Sequence, residues 1–135
     1  MINLCARVFE RRMAEALAPL GLSPAYLPVI FTLSATGGTT QAELARSAEI
    51  EQPTMALTLR RMERDGIISR IPDETDRRRA IVHLTPRAEA LVPQIEAIAE
   101  SINRRAFDEM PADSSAQLID LLTRAAANLT HRRED

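Results

Sequence analysis

The residues best suited to chemistry form a cluster of charges in the segment PDETDRRR, residues 72–79. This segment holds six charged side chains in eight positions and ends in three consecutive arginines. A guanidinium group is a planar fork of N–H donors that matches the oxygens of phosphates and of guanine. A run of charges is equally typical of a solvated surface, so charge alone leaves both interpretations open. Two short apolar runs, IISRI and AIVHL, flank the segment and predict a β-hairpin with the arginines in its loop.

The basic charge of the chain is concentrated around this hairpin. The 135 residues carry a formal net charge of -2. Residues 60–87, however, hold eight arginines against five acidic residues, a net charge of +3, which leaves -5 for the remainder. The local excess predicts an anionic partner at this region and argues against a uniformly basic coat.

Composition and the N-terminal segment exclude several classes of protein. Hydrophobic residues make up 45% of the chain and charged residues 27%, which is typical of one soluble globular domain. We expect no membrane span, because no run approaches the ~18 apolar residues that a span requires. The start MINLCARVFERRM lacks the pattern of a signal peptide, so we expect a cytoplasmic protein.

Helix signals dominate the first third of the chain. Apolar residues at helical intervals predict an amphipathic helix over about residues 2–20. Ser23-Pro24 is typical of a second helix start, and Pro28 should bend that helix or delay its beginning. Thr36-Gly37-Gly38-Thr39 predicts a turn. The sequence TQAE, residues 40–43, matches a capping box and predicts a short third helix over about 41–48.

The C-terminal part predicts two further helices. A long helix begins after Thr85-Pro86 and carries an apolar stripe, with a kink expected at Pro93. A last helix begins at about Asp113, and the tail HRRED is expected to fray. The terminal helices are apolar beyond what a small module can cover, which favours a dimer interface.

The fourth predicted helix has one apolar face and one polar face. Met55, Leu59 and Met62 fall at i, i+4 and i+7 and should face the core. The residues left largely outward are Gln52, Thr54, Ala56, Leu57, Arg60, Arg61 and Arg64. Helix, turn, helix and an arginine-tipped hairpin are the order of a winged helix-turn-helix. In such a module the second helix enters the DNA major groove and the hairpin reaches the adjacent minor groove.

At these residues the chain resembles the MarR (multiple antibiotic resistance regulator) family. The wing signature of that family is Asp-x-Arg, five residues and then Leu-Thr, and Asp76, Arg78, Leu84 and Thr85 fill it with the same spacing. The similarity continues through QPTMALTLRRMERDGIISR and covers the chain in helix order. It implies a mainly α fold with a small β-hairpin wing in one domain, 1–135. Dimerisation helices are implied at about 1–20 and 86–130, and the winged module at about 23–85.

The resemblance also implies a function. We expect a bacterial DNA-binding transcriptional regulator that acts as a homodimer on a pseudo-palindromic operator; the residues leave repression or activation open, and repression is our expectation. The implied DNA contacts are Gln52, Pro53, Thr54, Leu57, Arg60, Arg61, Arg64, Asp76, Arg77, Arg78 and Arg79. By analogy Arg78 enters the minor groove, Asp76 orients it, and Arg77 and Arg79 lie near phosphates. A small aromatic or amphipathic effector is implied, with Tyr26 as its candidate contact.

Leu57 departs from the family pattern, in which this position is usually polar or basic. The centre of the helix therefore offers few side chains that could recognise bases by hydrogen bonds, and contacts with thymine methyl groups would be a substitute. The contrasting hypothesis is a winged-helix dimer that serves as a protein-interaction module without DNA binding. Leu57 favours that hypothesis and the intact wing argues against it.

The remaining reactive residues have more ordinary interpretations. Cys5 is more simply a buried structural thiol than a redox switch. With one cysteine, His83 in a strand and His131 in the tail, we expect no metal and no cofactor. Tyr26 could instead be a packed core residue with a satisfied hydroxyl. The chain has no phosphate-binding glycine loop, nucleophile elbow or HExxH motif, so we do not expect an enzyme.

Overall fold

The computed structural model describes residues 1–130, and within that range the chain forms six α-helices and one antiparallel sheet. The elements are α1 (Ile2–Leu17), α2 (Leu27–Thr36), β1 (Thr39–Thr40), α3 (Gln41–Ser47), α4 (Gln52–Arg64), β2 (Ile68–Pro72), β3 (Ala80–Leu84), α5 (Pro86–Ala106) and α6 (Ser114–Thr130). The mainly α class with a hairpin wing is confirmed. The tail with His131 lies outside the described residues.

The sheet has the strand order β1-β3-β2. β2 and β3 form the predicted hairpin, with Ile68 opposite Leu84 and Pro72 opposite Ala80. β1 pairs with the other edge of β3, whereas the sequence predicted a turn ending at Thr39. The two-residue strand was missed because it is too short to show alternation, and its pairing partner lies far along the chain.

Gly38 permits the close approach between β1 and β3. Its φ of 147° lies outside the range that side chains favour, and a Cβ at this position would lie 2.5 Å from the ring of His83. That ring is fixed in turn, because its Nδ1 lies 2.8 Å from the carbonyl oxygen of Gly37. A substitution at Gly38 would therefore displace His83 as well as strain the backbone.

One hydrophobic core joins helices α1 to α5 to the sheet, and it lies within residues 1–100, the first of the two compact units into which the chain divides. Leu33 of α2, Leu44 of α3 and Met62 of α4 are buried together with Val82 of β3 and Ile95 of α5. A truncation such as Leu44→Ala in a core of this kind costs ~2–5 kcal/mol. This core fixes α3, α4 and the hairpin relative to one another.

The helix starts follow the predicted capping residues. The Oγ1 of Thr40 accepts from the backbone N–H of Glu43 at 3.3 Å, but the Glu43 carboxylate binds Arg46 instead of reaching back, so only half of the capping box forms. The Oγ1 of Thr85 accepts from the backbone N–H of Ala88 at 3.3 Å. Pro28 lies in the first turn of α2, which confirms the delayed start. Pro93 lies inside α5, and the kink stays a prediction.

The first predicted helix is shorter than expected. α1 ends at Leu17, and two 3-10 turns, Ala18–Leu20 and Pro24–Tyr26, lead into α2. Proline is present in both turns, at the first or second position, where its fixed φ favours a new start over continuation of the previous helix. In residues 1–130 no single helix is long and apolar enough to cross a bilayer. Ile2–Leu20 and Pro24–Thr36 reach that length and apolarity only together, and they are bent by 91° relative to each other.

Candidate nucleic-acid interface

α4 is amphipathic in the way that its sequence predicts. Met55, Leu59 and Met62 are each 0% exposed and anchor one face of the helix in the core. Pro53 lies in the first turn of α4, where the backbone N–H that proline lacks would have no partner within the helix. Gly66 follows the helix with φ 71°, the left-handed conformation that commonly ends helices. The opposite face is therefore held rigidly toward solvent.

The residues predicted to face outward from α4 are exposed, apart from Ala56, which is half-buried. The fully exposed members are Gln52, Pro53, Thr54, Leu57, Arg60, Arg61 and Arg64. Arg64 is neutralised in part by an ion pair of 3.0 Å with Asp65. Among the described residues, Arg60 and Arg61 form no ion pair, so their charge is available to an anion.

The loop of the wing, residues 73–79, is ordered by its own polar groups. The Oδ1 of Asp73 accepts from the backbone N–H of Thr75 at 3.0 Å and from its hydroxyl at 2.9 Å. These bonds hold the pKa of the Asp73 carboxyl below its usual range. The backbone N–H of Asp73 donates to the carbonyl of Arg79 at 2.9 Å and closes the loop. The arginines are thus presented by a defined turn.

Asp76 contacts Arg78 twice within this loop. Its Oδ1 accepts from the backbone N–H of Arg78 at 3.1 Å and lies 3.4 Å from the Nε of the same residue. The Arg78 side chain is nonetheless 93% exposed. The carboxylate therefore restrains the base of a guanidinium that projects into solvent. The contact predicted between these two residues is present, and its role on DNA stays a prediction.

α4 and the wing border a common concavity of about 500 Å³. Gln52 lines it from the start of α4, and Arg78 and Arg79 line it from the wing. Three predicted site residues from two separate elements are thereby brought to one surface. Arg77, also exposed, is not among the residues that line this concavity.

Arg70 is a residue of this concavity that the sequence analysis missed. Its Nη1 donates to Oε1 of Gln41 at 3.3 Å, and its Nε lies 3.5 Å from Oε2 of Glu63. One side chain on β2 thus contacts both α3 and α4. The alternation of side chains along a strand could have identified Arg70 as an inward-facing residue, because it lies two positions after the buried Ile68 and so points to the same face of the sheet.

Tyr26, the predicted effector contact, is buried, and its hydroxyl donates to Oδ2 of Asp65 at 2.6 Å. Burial, together with this bond, raises the pKa of Tyr26. Direct contact with a ligand would require the hydroxyl to exchange its partner. The ligand role of Tyr26 stays a prediction.

Cys5 is exposed, which corrects the expectation of a buried thiol. Its neighbour Leu4 is also exposed, because the early turns of α1 contribute no side chain to the buried core of residues 1–100. Within residues 1–130 no group of three or more His, Cys, Asp and Glu side chains could hold a metal ion.

Comparison with known proteins finds a family model that matches part of the chain and solved structures with the same fold. Residues 22–80 match the model described as MarR family. A variant of MarR from E. coli in complex with operator DNA superposes with a TM-score of 0.83 at 23% identity, covering 92% of this chain and 89% of that one. A MarR transcriptional regulator from Methanosarcina mazei Go1 gives 0.83 at 23% identity, covering 94% and 91%.

A third structure has a higher sequence identity. A probable transcriptional regulator from Pseudomonas aeruginosa is 29% identical, with a TM-score of 0.76 and coverage of 93% of this chain and 96% of that one. All three share the fold over most of both chains. The match of residues 22–80 to the MarR family model, the shared fold and the Asp76-to-Thr85 wing signature all agree with one another.

Proposed function

We propose that the chain is a sequence-specific DNA-binding transcriptional regulator that acts as a repressor in the bacterial cytoplasm. The observation that carries this proposal is the concavity shared by Gln52 of α4 and by Arg78 and Arg79 of the wing. Two elements that could enter neighbouring grooves of a duplex border one cationic surface there. The operator complex of the E. coli MarR variant, which has the same fold, supports the proposal.

The exposed face of α4 would enter the major groove, which is ~12 Å wide and admits a helix. Gln52, Thr54 and Arg60 would offer hydrogen bonds to base edges in the groove, and Arg61 and Arg64 would contact the DNA backbone. Arg78 would reach the minor groove, where narrow A·T tracts concentrate negative potential. Arg77 and Arg79 would bind phosphates.

A homodimer on a pseudo-palindromic operator is the second part of the proposal. α1 and α6 leave several large apolar side chains at least 38% exposed: Ile2, Leu4, Val8, Leu118, Ile119, Leu121, Leu122 and Leu129. Apolar surface left exposed on a helix in this way is typical of a subunit interface. We therefore assign the segments at about 1–20 and 86–130 to dimerisation.

Release by a small aromatic or amphipathic effector is the third part. Within residues 1–100, α1 and the turn before α2 border an open concavity of about 320 Å³ lined by Phe9, Glu10, Met13, Pro24 and Ala25. Tyr26 follows directly in the chain. To release DNA, a ligand must favour the DNA-incompetent state by ~1–3 kcal/mol. Salicylate-like and phenolic compounds should bind the purified protein and weaken its DNA affinity; the absence of both effects would remove this part alone.

A protein-interaction module without DNA binding is the competing function, and one observation favours it. Leu57 exposes 47% of its surface at the centre of the α4 face. An acidic protein with an apolar patch could cover such a face. The deciding experiment is binding to labelled fragments of the gene's own promoter region, in a gel shift with unlabelled random DNA as competitor.

The matched control in that experiment is the removal of one arginine that lies outside α4 and the wing. Arg60→Ala should weaken binding to the promoter fragment, whereas Arg7→Ala on α1, which removes the same charge from an exposed helix position, should have little effect once sedimentation shows that its oligomeric state is that of the wild type. Equal binding of promoter and random fragments, or equal loss in both variants, would contradict sequence-specific recognition by α4.

A further inference from the structure

Leu57 is an apolar side chain in a polar setting. It exposes 47% of its surface, while Met55 and Leu59, two positions to either side, are each 0% exposed and supply the packing that holds α4. A single exposed leucine needs no explanation on an ordinary surface. This one lies at the middle of the exposed face of α4, and the core does not use it.

The neighbours of Leu57 on the helix surface define what it could touch. Residues three and four positions away lie next to it on a helix, which places Pro53 and Thr54 on one side and Arg60 and Arg61 on the other. All four are exposed. The leucine is thus surrounded by one hydroxyl and two guanidinium groups, so any partner must combine negative charge with an apolar group at the centre.

A DNA major groove meets both requirements. Its walls carry phosphates, and among its base edges the one apolar group of unmodified DNA is the C5-methyl of thymine. An aliphatic side chain has no donor or acceptor, so it cannot read the other bases by hydrogen bonds. The charge around Leu57 favours this polyanion over a protein partner, because the arginines of the wing extend the cationic surface beyond α4.

We propose that Leu57 is a specificity-determining residue that contacts the C5-methyl group of one thymine in each half-site. The proposal rests on the proposed function and names the chemical group that this part of the site recognises. Leu57 then selects thymine by methyl burial, while the flanking polar residues supply hydrogen bonds and phosphate contacts. 5-Methylcytosine carries the same methyl group and should satisfy the same contact.

The test replaces single methyl groups in the DNA. In the operator fragment, each thymine is exchanged in turn for deoxyuridine, which removes only the methyl, and affinity is measured for the wild type and for Leu57→Ala. With the wild type, one position per half-site should lose about fourfold in affinity, the equivalent of one buried methyl group. With Leu57→Ala, the same exchange should have no effect. Alanine preserves the helix, and circular dichroism checks its fold.

Two controls identify Leu57 as the residue responsible. Thr54→Ala should keep the sensitivity to deoxyuridine at that position. After exchange of the same base pair for C·G, methylation of that cytosine at C5 should tighten binding by the wild type and leave Leu57→Ala unchanged. Parallel losses for wild type and Leu57→Ala at every position would overturn the thymine contact while leaving DNA binding intact. Failure of the wild type to bind any DNA fragment would instead overturn the proposed function and this inference with it.

Discussion

The hydroxyl of Tyr26 donates a 2.6 Å hydrogen bond to the carboxylate of Asp65 and thereby connects the turn before α2 to the residue that ends α4. Asp65 is held from two further sides. Its Oδ1 lies 3.0 Å from the Nε of Arg64, and its backbone carbonyl accepts from the guanidinium of Arg87. The C-terminal end of α4 is thus fixed by residues from three parts of the chain, and the direction of the exposed α4 face depends on them.

The surroundings of this bond move the pKa values of both partners further from neutral pH. Burial, followed by the bond to Asp65, raises the pKa of Tyr26, while the bond from Tyr26, followed by that from Arg64, lowers the pKa of Asp65. A lowered acid pKa stabilises the folded state above the unfolded pKa, and this stabilisation is lost as pH falls through the folded value. The raised tyrosine pKa stabilises below the unfolded value, and the effect is lost as pH rises through the folded one.

Tyr26→Phe should therefore destabilise the protein without changing its packing. We expect the free energy of unfolding at pH 7 to fall by ~1 kcal/mol, the net contribution of a typical hydrogen bond, in urea denaturation followed by circular dichroism. The difference from wild type should be constant from about pH 5 to 9 and shrink as pH falls through the lowered pKa of Asp65. Equal stability of both proteins at pH 7 would show that the bond contributes nothing.

The control is the same substitution in a chain that lacks the acceptor charge. In an Asp65→Asn background, Tyr26→Phe should have a smaller effect on unfolding than in the wild type, because the interaction is already weakened. Additive effects of the two substitutions would mean that the residues act independently.

Local signals predicted most of the fold. Helix starts and ends are marked by residues whose hydrogen bonds or dihedral angles depend only on their neighbours: Thr40, Thr85 and Gly66. The helical spacing of Met55, Leu59 and Met62 predicted the buried face of α4. The wing loop was placed correctly because a short apolar run flanks it on each side. These features need no information about distant parts of the chain.

Contacts between distant residues were not predictable in the same way. The Tyr26–Asp65 bond spans 39 positions and the Arg70–Gln41 bond spans 29, and no sequence period relates the partners. The exposure of Cys5 was predicted wrongly because an amphipathic pattern shows that a face is apolar but not whether the chain itself covers it. For the site, the sequence supplied the residues of α4 and the wing, and the structure added Arg70.

The proposed dimer can be tested on α6. Leu122 is 41% exposed on the apolar side of that helix, and Leu122→Glu should dissociate a dimer, because burial of an unpaired charge in an interface is costly. Sedimentation equilibrium at micromolar concentration should give about twice the chain mass for the wild type and a lower mass for the variant. Ala116→Glu, at an exposed position of α6 turned about 120° around the helix from Leu122, should behave as wild type; a monomeric wild type would contradict the proposal directly.

The spacing of the half-sites follows from twofold symmetry. Two α4 helices related by a dyad must enter successive major grooves on one face of the duplex, so the half-site centres should lie about 10 bp apart. Insertion of about five base pairs between them rotates one half-site to the opposite face and should abolish tight binding, as measured by fluorescence anisotropy. Insertion of about ten base pairs returns the half-site to the same face of the duplex but leaves the two half-sites further apart. Unchanged affinity after the insertion of about five base pairs would refute this geometry.

The three arginines of the wing should have different effects on binding. Arg78→Ala should lose ~1–3 kcal/mol on the operator and weaken the preference for flanking A·T pairs, because it removes the minor-groove contact. Arg77→Ala and Arg79→Ala should weaken operator and random DNA alike and reduce the slope of log affinity against log salt by about one unit each. Titrations at several salt concentrations separate the two patterns, and identical behaviour of all three variants would mean that the wing only provides charge.

Asp76→Ala tests whether Asp76 affects DNA binding by orienting Arg78 or only through its own negative charge. Removal of an acid near DNA should tighten binding by simple electrostatics, and Glu74→Ala, an exposed acid of the same loop, should show that effect. Asp76, however, accepts from the backbone N–H of Arg78 at 3.1 Å and restrains its Nε. Its loss frees the arginine to sample other rotamers, which must be restricted again on binding. We therefore expect Asp76→Ala to weaken operator affinity while Glu74→Ala strengthens it; tightening in both variants would show that Asp76 has no orienting role.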